Sequence, residues 1–386
     1  MNIIQFGPYP LKASCIKGGV ESSVYGLSQT LVQHHEVSVF DIPRIEGKDT
    51  VDIQNGVYIH RYKNCGTHNQ DAVQRVDEIL RDIVALHPDI VHVHGTGEIS
   101  AIIYKALKEY GFKVIMTIHG LLHVEKKNQL RKKLSLKHLY QYFHQSRIEF
   151  EAIEKADVAI VDTEYVAIQL RKLFEEKKIK CLPTMHIIPQ GINANYLSID
   201  AKCDAQTILS VGSISERKGH LFLIRAFEQL SSHTPDIKLI IAGSLADKKY
   251  YQTLLDYVEK SSCKEKIEIK PNLSQEQIYQ LYQTATLFAL HSQEESQGIV
   301  FVEAMAVGLP VVATEVGGVP YVVKDQATGL LSNYSNVQSF AENIKMLLEN
   351  KSLRDKMAKA AKQEAKKYNW KNIAEQIENL YIELKH

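Results

Sequence analysis

Thr207-Ile208-Leu209-Ser210-Val211-Gly212-Ser213-Ile214-Ser215-Glu216-Arg217-Lys218-Gly219 is the stretch at which the chain begins its pattern a second time. A short apolar run, 207–211, meets a glycine and a small polar turn, and a helical pattern follows. That is how a buried strand feeds a helix. Upstream, apolar runs at 2–6, 37–40, 57–62, 90–94, 113–118, 158–161 and 186–188 alternate with helical patterns such as 71–86 and 99–110. Downstream, the runs fall at 237–242, 267–269, 287–289 and 310–314, again with helical patterns between them. Strands alternating with helices predict a parallel, doubly wound sheet covered on both faces. Two such blocks predict an α/β protein with two Rossmann-like domains facing across a cleft. The expected boundaries are a first domain at 1–192, a linker at 193–206 where apolar periodicity lapses, and a second domain at 207–365. A C-terminal helix at 366–386 follows, with a break at Tyr368-Asn369-Trp370. Ligands of such sheets sit beyond the carboxyl ends of the strands, so residues just after strands are the candidates for chemistry.

The length of 386 residues suits two domains with separate cores. An apolar share of 45% and a charged share of 24% are those of a soluble globular protein. The net charge of +1 gives no global field toward nucleic acid, so no nucleic-acid partner is expected. The five cysteines are scattered without short paired spacing, which argues against a zinc site or a disulfide framework. The opening Asn2-Ile3-Ile4-Gln5-Phe6-Gly7-Pro8 lacks the charged start and long apolar run of a signal peptide. No stretch approaches the roughly 20 apolar residues that span a bilayer. A cytoplasmic location is expected.

The stretch 291–308 carries the strongest chemical signal. Glu295 stands in a polar loop, Gly298 and Ile299 stand at a helix start, and Glu303 stands one turn inside the helix, which Gly308 ends. Were the whole stretch helical, the two glutamates would lie about 12 Å apart along its axis. Backbone N–H groups and the helix dipole between them favour a phosphate. One element could therefore hold a hydroxylated group, a pyrophosphate and a second hydroxylated group, the order found in a nucleotide sugar. Taken singly, such glutamates more often cap or solvate a helix. Gly212 opens the turn that leads to Arg217 and Lys218, where a bidentate guanidinium and a point charge can clamp a diphosphate. Both cations could neutralise a leaving nucleoside diphosphate. Gly18 and Gly19 allow close backbone approach before a helix that begins near Glu21, although the glycine spacing is not that of the dinucleotide fingerprint. His119 follows the run 113–118. His92 and His94 share a strand face, which could suggest a metal, but no third ligand is evident, so none is expected. His94 and His119 are the cleft candidates, while His92 reads as packed. Finally, 126–148 contains no acid but carries Lys126, Lys127, Arg131, Lys132, Lys133, Lys137 and Arg147, with Leu136, Leu139, Tyr140 and Phe143 at helical spacing. Such a helix can lie on an anionic membrane or pack on its own domain with a solvated basic face.

Across nearly the whole chain these motifs resemble glycosyltransferase family 4 of the GT-B class. They are Gly18-Gly19, His119, Pro189-Gln190-Gly191-Ile192, Arg217-Lys218-Gly219, Glu295-Ser296-Gln297-Gly298 through Glu303-Ala304-Met305-Ala306, Gly308-Leu309-Pro310-Val311-Val312 and Gly317-Gly318. The resemblance implies a C-terminal domain that binds a nucleotide sugar. Arg217 and Lys218 would hold its diphosphate, Glu303 its ribose, and Glu295 the hydroxyls of its sugar. It also implies that His119 lies near the reacting centre, that Gly19 approaches the diphosphate, and that transfer retains anomeric configuration without a metal or other cofactor. The last helix, with Trp370, would cross back to the first domain. Two positions depart from the family: Gln297 stands where a bulky apolar residue is usual, and Tyr321 where an acid often follows Gly317-Gly318. Both bear on the choice of sugar more than on the class of reaction.

The leading expectation is a transferase that uses a UDP- or GDP-sugar and a saccharide or lipid-linked acceptor. Its place would be bacterial surface polysaccharide or glycolipid assembly, with peripheral contact at the inner membrane face, as Lys126, Lys127, Arg131, Lys132 and Lys133 suggest. A transferase with a small soluble acceptor, a nucleotide-sugar epimerase and a non-catalytic nucleotide-sugar-binding protein are the alternatives.

Overall fold

A computed structural model describes residues 1–13, 16, 18–41, 49–62, 75–132, 134–178, 182–202, 206–232 and 236–385. The chain forms two compact units. The first comprises Met1–Leu11, Gly19–Gln190 and Trp370–His386; the second comprises Lys12–Gly18 and Gly191–Asn369.

The first unit is built on β1 (Asn2–Phe6), β2 (Glu36–Asp41), β3 (Thr50–Gln54), β4 (Val57–Arg61), β5 (Ile90–His94), β6 (Val114–Ile118), β7 (Val158–Val161) and β8 (Thr184–Ile187). Their order across the sheet is β3-β4-β2-β1-β5-β6-β7-β8. All neighbours are parallel except β3 and β4, an antiparallel pair at one edge. Successive side chains of a strand point to opposite faces, so Ile4 and Phe6 enter one core while Ile3 enters the other. The sheet is buried on both faces, which is why the strands read as continuous apolar runs. The helix Trp370–Lys385 belongs to this unit and closes the second core with Trp370, Ile373, Ile377 and Tyr381.

The second unit is built on β9 (Thr207–Val211), β10 (Lys238–Gly243), β11 (Ile267–Pro271), β12 (Leu287–Leu290), β13 (Val311–Thr314) and β14 (Gly329–Ser332). The order is β11-β10-β9-β12-β13-β14, parallel throughout. Leu209 and Val211 face a core shared with the helix Ile299–Val307, and Ile208 faces one shared with His220–Ser231 and Val337–Glu349.

Two details differ from the sequence expectations. The edge strands β3 and β14 carry too little apolar pattern to stand out. The stretch 193–206 is not featureless: it holds the short helix Ala194–Ser198, capped by Asn193, whose Tyr196 is buried in the second unit. Residues 203–205, like 71–74 of the expected helix 71–86, lie outside the described residues.

Candidate active site

In the second unit β9 pairs with β10 on one side and β12 on the other. The connections therefore leave in opposite directions, and the loops after β9 and β12 lie side by side at the carboxyl ends of the strands. Backbone contacts join them. The Gln293 amide donates to the Arg217 carbonyl at 2.9 Å. Gly219 adopts φ 62°, and a Cβ there would sit 1.9 Å from the His291 carbonyl oxygen, so a side chain would force the two loops apart. The loop after β13 joins them, with the Gly318 amide donating to the Glu295 carbonyl at 2.8 Å.

The charged groups converge here. Glu295 is buried, and its Oε1 accepts from Lys218 Nζ at 2.5 Å and from Ser292 Oγ at 2.7 Å. Arg217 lies 3.6 Å from the other carboxylate oxygen and donates to the Glu294 carbonyl at 3.1 Å. Burial pushes the Glu295 carboxyl up, but Lys218 and then Arg217 outweigh it and hold the group below its ordinary value, as the anion. Burial likewise pulls the Lys218 ammonium down, while Glu295 draws it part of the way back. The aliphatic stem of Lys218 runs past Gly212, whose added Cβ would lie 3.5 Å from Lys218 Cδ. Two cations and one carboxylate leave a net positive charge, with Arg217 the more exposed of the two at 42% of its side chain. Beside them Gly298, at φ 80°, precedes and starts the helix Ile299–Val307; the Phe301 amide donates to the Gly298 carbonyl at 3.0 Å, and the helix start has no side-chain cap. This combination suits a diphosphate.

Glu303 lies one turn into that helix and is partly buried. Its Oε2 accepts from the Tyr282 hydroxyl at 3.1 Å, and the Tyr196 hydroxyl also bonds to the carboxyl. Burial pushes Glu303 up to about 7 against those two hydrogen bonds. A carboxyl so poised can accept from, or donate to, a vicinal hydroxyl pair near neutral pH. Gln297 is buried, 1% exposed, and Tyr321 is 41% exposed.

In the first unit the switch falls between β1 and β5, and a polar chain runs across the strand ends. Gln190 Nε2 donates to Asp162 Oδ2 at 2.8 Å and to His119 Nδ1 at 3.1 Å. With Nδ1 accepting, His119 carries its proton on Nε2 and donates it to His94 Nδ1 at 3.1 Å. His94 in turn donates from Nε2 to the side-chain Oε1 of Gln5 at 3.2 Å. Burial pushes His119 down to about 3 and Asp162 up to about 7. Burial therefore favours the neutral ring of His119, which meets Gln190 and His94 through its two nitrogens. His94, a cleft candidate in the sequence, is 4% exposed and stacked between His92 and His119. His92 is packed between the hydroxyls of Tyr381 and Thr117. Gly19 starts the helix Gly19–Leu31, with Gln190 Oε1 3.7 Å from the place of its Cβ, and Gly18 precedes it.

The basic stretch 126–148 is two helices rather than one. Leu122–Lys132 and Leu136–Glu154 are separated at Ser135, whose hydroxyl accepts from the His138 amide and caps the second. Lys126 and Lys127 are partly exposed and Arg131 exposed on the first helix. Lys132 ends that helix, and Lys133 lies outside the described residues. Among the described residues no helix is long and apolar enough to cross a membrane, and no cluster of three or more His, Cys, Asp or Glu could hold a metal.

The sequence does not point to Ser292, Tyr196, Tyr282, Gln5, Thr117 or Asp162, and Gln190 stands out only as part of a motif. Asp162 and Thr117 stand at strand ends, a place that could have flagged them. Tyr196 and Tyr282 are aromatic residues on helices and carry no local sign that their hydroxyls meet a carboxylate.

Comparison with known proteins agrees with this architecture. Residues 17–196 match the model of Glycosyltransferase Family 4, and residues 198–364 match that of Glycosyl transferases group 1. The chain belongs to glycosyltransferase family 4. It is an enzyme of the glycosyltransferase class, and its fold is GT-B. A D-inositol 3-phosphate glycosyltransferase of Nocardioides sp. is 26% identical over 328 residues, covering 79% of this chain and 70% of the relative. The alignment with two further relatives of that name spans 43% and 59% of their length. Among solved structures, sucrose-phosphate synthase from Thermosynechococcus elongatus superposes with a TM-score of 0.83 at 20% identity, covering 99% of this chain and 98% of that one. Anabaena HepE in complex with UDP-glucose superposes with a TM-score of 0.76 at 18% identity, covering 99% of this chain and all of the other (100%).

Proposed function

We propose that this family 4 glycosyltransferase moves a hexose from a UDP-sugar, with retention of anomeric configuration, to a saccharide or polyol acceptor carried on a lipid, in surface polysaccharide or glycolipid assembly. The observation that carries the donor half is the Arg217–Lys218–Glu295 cluster at the β9/β12 switch, beside the N-terminus of Ile299–Val307. As the bond from the anomeric carbon to the diphosphate oxygen breaks, negative charge grows on the diphosphate. Arg217 and Lys218 stabilise that charge without reorganising, because Glu295 and the Glu294 carbonyl already hold them. Glu295 would accept hydrogen bonds from sugar hydroxyls, and Glu303 from the ribose. Uridine is favoured by the likeness to HepE, whose structure was solved with UDP-glucose. Gln297 and Tyr321 are proposed to tune which sugar is taken. The reaction is proposed to proceed in the cytoplasm, at the inner membrane face.

A second reading, a small soluble acceptor, is favoured by the names of the relatives, among them an inositol phosphate glycosyltransferase and a sucrose-phosphate synthase. Thermal shift against UDP-, GDP- and ADP-sugars tests the donor assignment, with Glu303→Ala as control. A donor well above its dissociation constant raises the melting temperature by mass action. A UDP-sugar should raise it in the wild type and not in the variant. Folded protein that responds to none of the three would overturn the donor site. Release of UDP on adding a soluble inositol or hexose phosphate, equal to that with a lipid-linked acceptor, would favour the second reading.

A further inference from the structure

The helix Leu136–Glu154 has two apolar stripes. One, toward its C-terminal half, is buried: Ala152 and Ile153 enter the first core. The other, in its N-terminal half, is rotated by roughly a third of a turn or more at about 100° per residue and faces solvent. Leu136 is 86% exposed, Leu139 40%, Tyr140 67% and Phe143 60%, and Leu134 in the preceding turn is 87% exposed. Spacings of three and four residues put the four helical members on one face. Large apolar side chains left in water in one group mark a surface that meets something apolar.

The base of this helical hairpin is firmly tied. Glu149 is fully buried and accepts from the amides of Leu122 and His123, both at 2.9 Å, from the His123 ring at 2.6 Å and from the Thr96 hydroxyl at 3.0 Å. A buried carboxylate thus caps the first helix and clamps it to the second. Phe143 lies 6 and Leu136 13 residues before Glu149, so the exposed face runs from about 9 to about 20 Å along the helix from that clamp. The chain around it carries one sign of charge: Lys126, Lys127 and Arg131 lie on the first helix of the hairpin and Lys137 on the second, and no acid occurs between residues 126 and 148. The acids at the margins are engaged: Glu125 lies 3.9 Å from Lys126, Glu151 pairs with Arg147, and Glu149 is internal.

We propose that this tip is a membrane wedge: Leu134, Leu136, Leu139, Tyr140 and Phe143 insert into the interface of an anionic bilayer, and Lys126, Lys127, Arg131 and Lys137 seat on its headgroups. Apolar insertion ringed by lysine and arginine is the chemistry of an interfacial helix, and long basic stems reach headgroups while their methylenes stay in the apolar layer. The inference deepens the lipid-linked acceptor reading, but binding to lipid is measured without any transfer reaction.

The test is cosedimentation with vesicles of phosphatidylcholine, alone and mixed with phosphatidylglycerol, using the full chain. Wild type should bind the mixed vesicles and not the neutral ones. The double variant Leu136→Ser/Phe143→Ser should bind more than tenfold more weakly, with its melting temperature and UDP-sugar response unchanged. Lys137→Glu should weaken binding by roughly fivefold or more, the loss set by one basic residue at the surface. Tyr140→Trp should show a blue shift of emission on adding the mixed vesicles. Wild-type affinity in the double variant, or no shift at residue 140, would overturn the wedge. A wild type that is dimeric in solution and monomeric as the double variant would assign the face to a second copy instead. Loss of lipid binding with an intact donor response leaves the transferase reading standing; loss of donor response with intact lipid binding does the reverse.

Discussion

Lys218 and Glu295 show how much a single pairing can hold. Each lies in a loop after a strand, 77 residues apart in sequence, and the two meet buried and hydrogen-bonded. Removing one partner strands the other charge, which costs about 3–5 kcal/mol in buried pairs. Lys218→Met should therefore lower both the urea midpoint and turnover, the latter by about 100-fold or more if the ammonium stabilises the leaving diphosphate. The double variant Lys218→Met/Glu295→Gln removes the stranded charge. It should regain most of the stability and none of the turnover. Turnover restored in the double variant would mean that the pair supports the fold rather than the reaction. From the sequence, Arg217, Lys218 and Glu295 were legible as charged residues standing just past strand ends. Their pairing was not legible, because it depends on β9 and β12 being neighbours. Nor was the chain from Gln5 to Asp162, whose members come from different strand ends of the first unit.

At the scale of elements, the helix Gly19–Leu31 and the helix Trp370–Lys385 touch at Gly26. A Cβ there would lie 2.0 Å from Trp370 Nε1, so the indole packs directly on the backbone of the first helix. Gly26→Ala should cost about 1–3 kcal/mol, as overpacking does, and Trp370→Leu in the same chain should recover part of it. Thermal unfolding reads both; a neutral Gly26→Ala would mean that the C-terminal helix is held elsewhere. Strand positions were legible because buried parallel strands are short apolar runs bounded by turn residues. The edge strand β3 was not, since Val51 and Ile53 are each 63% exposed and its partner is antiparallel, without a crossover helix to announce it. The basic helices were legible by period, but the cap at Ser135 that splits them was lost within a run of the same composition.

For the molecule as a whole, buried histidines and buried carboxyls pull stability in opposite directions with pH. Burial pushes His92 and His119 down to about 3, His220 and His291 to about 4, and His94 well below its ordinary value. Unfolded, these groups take up protons near pH 6.5, so the stability they contribute is present above that pH and falls as pH drops toward 4. Burial pushes Asp162 and Glu303 up to about 7 and Asp41 to about 6. The folded state keeps those protons when the unfolded chain has released them, so their contribution is lost as pH rises from about 4 to 7. Five histidines against three carboxyls leave the unfolded chain the larger proton binder across this window. The urea midpoint should fall between about pH 7 and pH 4.5; a rise on acidification would contradict the assignment of neutral histidines.

Periodicity and turn chemistry are local properties, so the two α/β blocks, the order of strands and helices, and the residues standing just past strand ends could be read along the chain. Which of those residues touch is decided by strand order within each sheet. That order follows from how the apolar faces of whole elements pack, which no window of sequence contains. The same holds for the exposed stripe of Leu136, Leu139, Tyr140 and Phe143. Helical spacing says that they share a face, and only the packed structure leaves that face without a neighbour, because the helix buries a different stripe, rotated away from it, against the core.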